Sequence, residues 1–131
     1  MTRKRILLID DDPGFRGVMK FILWEKGMEP IVSAGGRLGL RLARRLRPDV
    51  IVVDMEMPGI KGLELGKLLR DDFRTSHIPL IFLSDAPERS RSTQNTVWDV
   101  ANAGFVSKSG SISVLTLLVE KMAAQTGCLK G

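Results

Sequence analysis

The chain has 131 residues with 44% hydrophobic content, which falls in the usual range of ~100–200 residues for one domain and leaves enough apolar mass for a core. No apolar run reaches the ~18 residues of a membrane span, and the start "MTRKRILLIDDD" turns acidic too soon for a signal peptide. Its one cysteine, Cys128, excludes an internal disulfide and fits a reducing, cytoplasmic setting. The formal charge of +5 owes much to Arg41, Arg44, Arg45 and Arg47. Such a patch can steer anions or nucleic acid. The plainer reading is a solvated helix face around Leu38, Leu42 and Leu46, because no aromatics are interleaved with the arginines.

In chain order, "RILLID" (5–10) has the continuous apolar character of a strand buried on both faces. Asp12 can cap a helix with Pro13 in its first position, Phe15, Val18, Met19 and Ile22 as its apolar stripe, and Gly27 at its stop. "MEPIVS" (28–33) predicts a second strand, placed at a sheet edge by Pro30. The arginine-rich helix follows and ends at Pro48. "DVIVVD" (49–54) is the clearest buried strand, and "MEMPGIKG" reads as a loop before a helix from about Gly62 to Asp72.

"IPLIFLS" (78–84) is a fourth strand, and Pro87 opens a fourth helical stretch towards Asn102. "GFVSK" (104–108) is a short fifth strand, with Ser109 or Ser111 capping a last helix through about Gln125. No linker or repeat divides the chain. The expectation is therefore one domain over residues 1–131, with a core of about 4–125 and a short flexible tail. Strands alternating with helices imply a parallel sheet covered on both faces, with ligands bound beyond the carboxyl ends of the strands.

The polar residues at those ends are Asp10, Asp11, Asp54, Ser84 and Lys108, delivered by four separate segments. Each alone is ordinary: an Asp or Ser there commonly caps a helix, and a lone Lys is commonly just exposed. Together, clustered carboxylates suit a hard divalent cation with oxygen ligands, and the added Lys and Ser suit phosphoryl transfer.

Four segments, "LLIDDDP", "DVIVVDMEMPGIKGLEL", "PLIFLS" and "FVSK", occur in an order and spacing that resembles the receiver domain of two-component response regulators. The resemblance implies a flavodoxin-like (βα)5 fold with sheet order 2-1-3-4-5. It implies Asp54 as phosphoacceptor, and Mg2+ (or Mn2+) held by Asp10, Asp11, Asp54 and the backbone carbonyl of Glu56. Lys108 and Ser84 would bind the phosphoryl group, with Ser84 and Phe105 as the switch pair. The implied partners are a sensor histidine kinase or a phosphotransfer protein, and a homodimer or other partner on the face of the fourth helix, fifth strand and last helix. That last helix carries more apolar residues, Val114 and Leu117 among them, than one buried stripe requires. A membrane or nucleic-acid partner is not implied. The domain would be a phosphoacceptor with self-catalysed phosphorylation and dephosphorylation rather than an enzyme.

Several positions depart from the family pattern. Asp85 stands where a small residue is usual, so a pseudo-receiver that binds partners without phosphorylation is the alternative reading. Ser109 follows Lys108 where proline is usual, which predicts a trans bond, since a cis bond before a non-proline residue costs about 3 kcal/mol. Glu56 lies where an attacking water would approach Asp54, and Lys61 replaces a frequent acid. The stretch from Ser84 to Phe105 is about two residues longer than in chemotaxis-type receivers, predicting an irregular fourth helix. His77, the sole histidine, reads as structural. A flavodoxin-like cofactor domain or a small phosphatase fits poorly, since no Ser/Thr/Gly-rich phosphate loop follows the first strand and no acids have Asp-x-Asp spacing.

Overall fold

A computed structural model describes residues 3–85 and 102–129. Five strands, β1 (Arg5–Ile9), β2 (Glu29–Ser33), β3 (Val50–Asp54), β4 (Leu80–Ser84) and β5 (Ala103–Ser107), form one sheet in the order β2-β1-β3-β4-β5. Every pairing is parallel. The described helices are α1 (Pro13–Glu25), α2 (Gly36–Leu46), α3 (Gly62–Asp71) and α4 (Ile112–Leu129). This is the flavodoxin-like order expected. The fourth helical stretch expected from Pro87 lies outside the described residues, so α4 is the last helix of the sequence reading.

β1 shows why its apolar run does not alternate with polar residues. Ile6 and Leu8 pack with Met19 and Leu23 of α1 and with Leu115 and Val119 of α4. Leu7 and Ile9 point to the opposite face and pack with Ala43 of α2 and Leu65 and Leu69 of α3. Two cores sandwich the sheet, so successive side chains of a central strand are all apolar and buried. β2, with Pro30, takes the edge as expected.

Local chemistry sets the helix ends. Asp12 caps α1, its Oδ1 accepting from Gly14 N–H at 2.9 Å, and Pro13 fills the first turn. Gly27 follows α1 at φ +88°, a left-handed conformation that glycine adopts freely. Of the two serines considered for the last helix, Ser111 accepts a hydrogen bond from Ser113 N–H at 3.2 Å. That helix runs to Leu129, four residues beyond the expected Gln125.

The apolar stripe of α1 differs from expectation, and α2 meets the sheet through small residues. On α1 Val18 is 47% exposed, and Leu23 is buried in its place beside Met19. On α2 Leu38 is 47% exposed, and the face against the sheet is made of Gly36, Gly39 and Ala43. A Cβ on Gly39 would overlap the Ile9 side chain, so α2 lies too close to β1 for a leucine stripe. Gly66 of α3 plays the same part against Phe82, whose Cζ would lie 2.6 Å from an added Cβ. Close approach of helix to sheet, rather than hydrophobic periodicity, decides those faces. Among the described residues no helix is long and apolar enough to cross a membrane.

Candidate functional site: an acidic rim with one lysine

The carboxyl ends of β1, β3, β4 and β5 open on one rim. Asp10 is the first residue beyond β1 and is fully buried, whereas Asp11 beside it is exposed. Asp54 closes β3 at 4% exposure and Ser84 closes β4 at 6%. Lys108 follows β5, and its N–H donates to the Ser84 carbonyl at 3.1 Å, extending the β4–β5 ladder by one bond. Parallel pairing of β1 with β3, β3 with β4 and β4 with β5 therefore brings the expected residues to one rim, although they lie far apart in sequence.

The Lys108 ammonium reaches across the rim to 2.9 Å from Asp10 Oδ2 and 3.4 Å from Asp54 Oδ2. It also donates to Asp10 Oδ1 at 3.0 Å. Its geometry to Asp10 Oδ2 makes an ion pair but not a hydrogen bond, leaving that buried oxygen without a hydrogen-bond donor. Asp10 Oδ1 accepts from the Asp12 N–H at 2.9 Å, and Asp54 Oδ1 from the Glu56 N–H at 3.1 Å. Oxygens of Asp10, Asp11 and Asp54 lie within 4.8 Å of one another. Such a set of hard oxygen donors fits a small divalent cation.

The electrostatics follow from burial. Burial pushes the Asp10 carboxyl above its ordinary range, and the nearby Asp54 charge adds to this against the Asp12 N–H and Lys108. Burial also opposes the Lys108 charge, but the hydrogen bond and charge of Asp10, followed by Asp54, outweigh it and hold the ammonium above its ordinary value. Lys108 therefore stays protonated while two buried carboxylates compete for it.

Ser84 Oγ donates to Glu56 Oε1 at 3.3 Å, so the exposed Glu56 side chain leans over the same rim. Phe105 is half-buried on the outermost strand, opposite Phe82 in the register, and packs on the α2–α3 side of the sheet. Asp12 stays out of the carboxylate group and caps α1, and Asp85 is exposed. His77 is exposed and joins the structure through its carbonyl, 3.4 Å from Asn102 Nδ2. Among the described residues no peptide bond is cis, so Lys108–Ser109 is trans as expected.

Three supporting residues escape sequence reasoning. Arg16 donates to the Asp10 carbonyl at 2.9 Å, fixing the turn that aims Asp10 inward. The Phe15 ring lies beneath Lys108, its centroid 5.0 Å from Nζ, where a cation is attracted to the ring face. A Cβ on Gly62 would stand 2.7 Å from Met55 Cα and 2.9 Å from the Asp54 carbonyl, so the start of α3 presses on the backbone behind Asp54. Gly62 carries the one legible signal, a glycine at a helix start directly after the "MPGIK" turn. Nothing in the sequence marks Arg16, and Phe15 is legible only as part of the apolar stripe of α1.

Comparison with known proteins agrees with this geometry. The profile of the response regulator receiver domain matches residues 6–120. The DNA-binding response regulator MtrA of Mycolicibacterium smegmatis is 34% identical over 82 residues, which are 63% of this chain and 35% of that protein. The transcriptional regulatory protein AfsQ1 of Streptomyces coelicolor is 39% identical over 79 residues, 60% of this chain and 34% of that one. The matched region thus spans about a third of these relatives. The structure of Vibrio cholerae chemotaxis protein CheY4 superposes with a TM-score of 0.83 at 26% identity, covering 92% of this chain and 99% of that one. The receiver domain of Pseudomonas aeruginosa sensor histidine kinase PA1611, solved with a magnesium ion coordinated in its active-site cleft, has the same fold at 20% identity, with a TM-score of 0.81 and coverage of 94% and 99%. The chain belongs to the response regulator receiver domain family.

Proposed function

We propose that Asp54 is a phosphoacceptor that takes a phosphoryl group from a sensor histidine kinase or a phosphotransfer protein, with Mg2+ (or Mn2+) held by Asp10, Asp11, Asp54 and the backbone carbonyl of Glu56. The observation that carries this reading is Lys108, pinned between Asp10 and Asp54 from the far edge of the sheet. A buried Asp10 oxygen without a hydrogen-bond donor, inside a group of three carboxylates, supports the cation. The cation supplies charge neutralisation for phosphoryl oxygens at a rim that would otherwise repel them.

A carboxylate oxygen of Asp54 forms the new bond to phosphorus while the donor's bond to phosphorus breaks and the bonding pair leaves with the donor. Such a transfer asks the protein mainly for positioning and charge compensation. Glu56 N–H holds Asp54 Oδ1 at 3.1 Å, leaving Oδ2, the oxygen facing Lys108, as the attacking atom. Lys108 binds the transferred phosphoryl group, Ser84 donates to one of its oxygens, and Glu56 governs water's approach during dephosphorylation. The domain acts on itself in both directions, as a phosphoacceptor rather than as an enzyme with a separate substrate.

The added charge of about −2 draws Ser84 inward from Glu56 and lets Phe105 settle towards the space it leaves. The result is a shift in population on the face of β5 and α4. Val114 and Leu117 on α4 are 56% and 63% exposed, surplus to the core and placed to meet a partner or a second copy. The receiver occupies the chain as one domain and works in the cytoplasm, where sensor kinases deliver phosphoryl groups.

Incubation with Mg2+ and acetyl phosphate, followed by intact-protein mass spectrometry, tests the reading. One phosphoryl group should be added, and Asp54→Asn should prevent it. A folded protein that stays unmodified, and that gives no spectral change with beryllofluoride, would leave the pseudo-receiver reading instead.

A further inference from the structure

The arginines of α2 do not simply face solvent. With Arg74, from the turn between α3 and β4, Arg37, Arg41, Arg44 and Arg45 line an open cleft of about 490 Å³ with Leu40 at its base. That volume lies within the range of small-ligand pockets, ~300–1,000 Å³. Arg37, Arg41, Arg44 and Arg45 fall at spacings of four, three and one residues, so one helical face carries them over ~12 Å of axis.

Two of the five are already oriented. Asp72 holds Arg44 Nε at 2.8 Å and Arg74 through Nε at 3.0 Å and a terminal nitrogen at 2.8 Å. Among the described residues no carboxylate pairs with Arg37, Arg41 or Arg45. One acid therefore pairs with two of the five guanidiniums, and the cleft holds a local excess of positive charge. Guanidinium forks match the paired oxygens of phosphates and carboxylates alike, and several forks in one cleft suit a ligand that carries several such charges, as a polyphosphate does.

A second feature narrows the ligand. The Phe73 ring is 81% exposed and lies beside Arg74, whose guanidinium carbon is 6.0 Å from the ring centroid. The sequence places no aromatic among the arginines of α2; Phe73 comes into their company only through its neighbour Arg74, which lines the cleft. An exposed aromatic next to an arginine cluster offers a stacking surface for a base alongside a cradle for phosphates. We infer that the α2 cleft binds a nucleoside polyphosphate, with its phosphates on Arg37, Arg41 and Arg45 and its base against Phe73, separately from the acidic rim.

The test is calorimetric titration of the intact chain with ATP, inorganic tripolyphosphate and adenosine in EDTA, which strips the divalent ions that the acidic rim would use. ATP should bind saturably at near-physiological salt. Arg41→Glu with Arg45→Glu, both exposed positions, should weaken ATP at least about tenfold. The charge-matched pair Lys20→Glu with Lys121→Glu on α1 and α4 should leave binding within about twofold, as screened distant charges do. Phe73→Ala should weaken ATP by about threefold to tenfold and leave tripolyphosphate unchanged.

Absence of saturable ATP binding by wild-type protein would overturn the inference. So would equal losses in the two double variants, which would mark a diffuse effect of net charge. Tripolyphosphate binding as tightly as ATP, with Phe73→Ala silent, would overturn the assignment to a nucleotide. A DNA duplex that binds while ATP fails to compete would assign the face to nucleic acid instead. Circular dichroism melts of each variant separate lost binding from lost folding.

Discussion

Both ends of the sheet bury a carboxylate, and they treat it differently. At the amino end Asp49 is 7% exposed and accepts from the Arg5 N–H at 2.8 Å and the Thr126 hydroxyl at 3.4 Å, so it ties β1 and α4 to the start of β3. Arg70 works at the same end, its guanidinium donating to the carbonyls of Ile78 at 2.7 Å, Asn102 at 3.1 Å and Thr75 at 3.5 Å. Burial lowers the Arg70 pKa, yet those oxygens give its charge a structural use. At the carboxyl end, Asp10 is fully buried beside a second buried acid, and one lysine serves both. One end spends its buried charge on joining segments. The other keeps like charges together at the expense of stability, as sites prepared for a cation and an anion do.

The largest break in this comparison is Asp49→Ala. It removes the acceptor of the Arg5 N–H and leaves that backbone donor stranded, while the Thr126 hydroxyl keeps the Ala123 carbonyl at 2.8 Å, so folding stability should fall by about 3 kcal/mol, read from urea unfolding. Phosphorylation of Asp54 should persist in whatever protein remains folded. Arg70→Leu comes next, at about 2 kcal/mol, because Ile78 and Asn102 flank β4 and β5 and their carbonyls lose a charged donor. Either result reversed, with stability intact and phosphorylation lost, would mean that the amino end is coupled to the site rather than scaffolding it.

The contrast also separates what the sequence makes legible. Strand-end residues were readable because a parallel sheet sends every carboxyl end to one rim, so Asp10, Asp54, Ser84 and Lys108 needed only a correct strand order. Asp49 was read only as the start of a strand, and Arg70 as part of a helix. Their partners are backbone atoms and one distant hydroxyl, that of Thr126, which no residue pattern announces. Helix faces are less legible: Val18 has helical spacing, yet α1 buries Leu23 instead, and on α2 the close approach to Ile9 puts Gly39 against the sheet. That Arg74, with Phe73 beside it, joins the arginines of α2 in one cleft is likewise a product of the turn after α3.

Asp10→Asn should have the smallest effect on stability and the opposite sign. Burial penalises the charged form of Asp10 more than Lys108 and the Asp12 N–H favour it, so its pKa is raised above the ordinary 3.8. A raised pKa means that the native state binds this proton more tightly than the unfolded chain does. Its stabilising contribution is therefore complete below pH 3.8 and declines as pH rises through the folded-state value. A neutral amide of the same shape removes that decline. At pH 7 the variant should be more stable than wild type by up to about 1 kcal/mol, and the gain should vanish when unfolding is measured near pH 3.8. Mg2+ should meanwhile lose its stabilising effect on the variant, because one of three clustered carboxylates has gone. If Asp10→Asn instead destabilised the protein at pH 7 as Asp49→Ala does, the two ends of the sheet would be using buried charge in the same way.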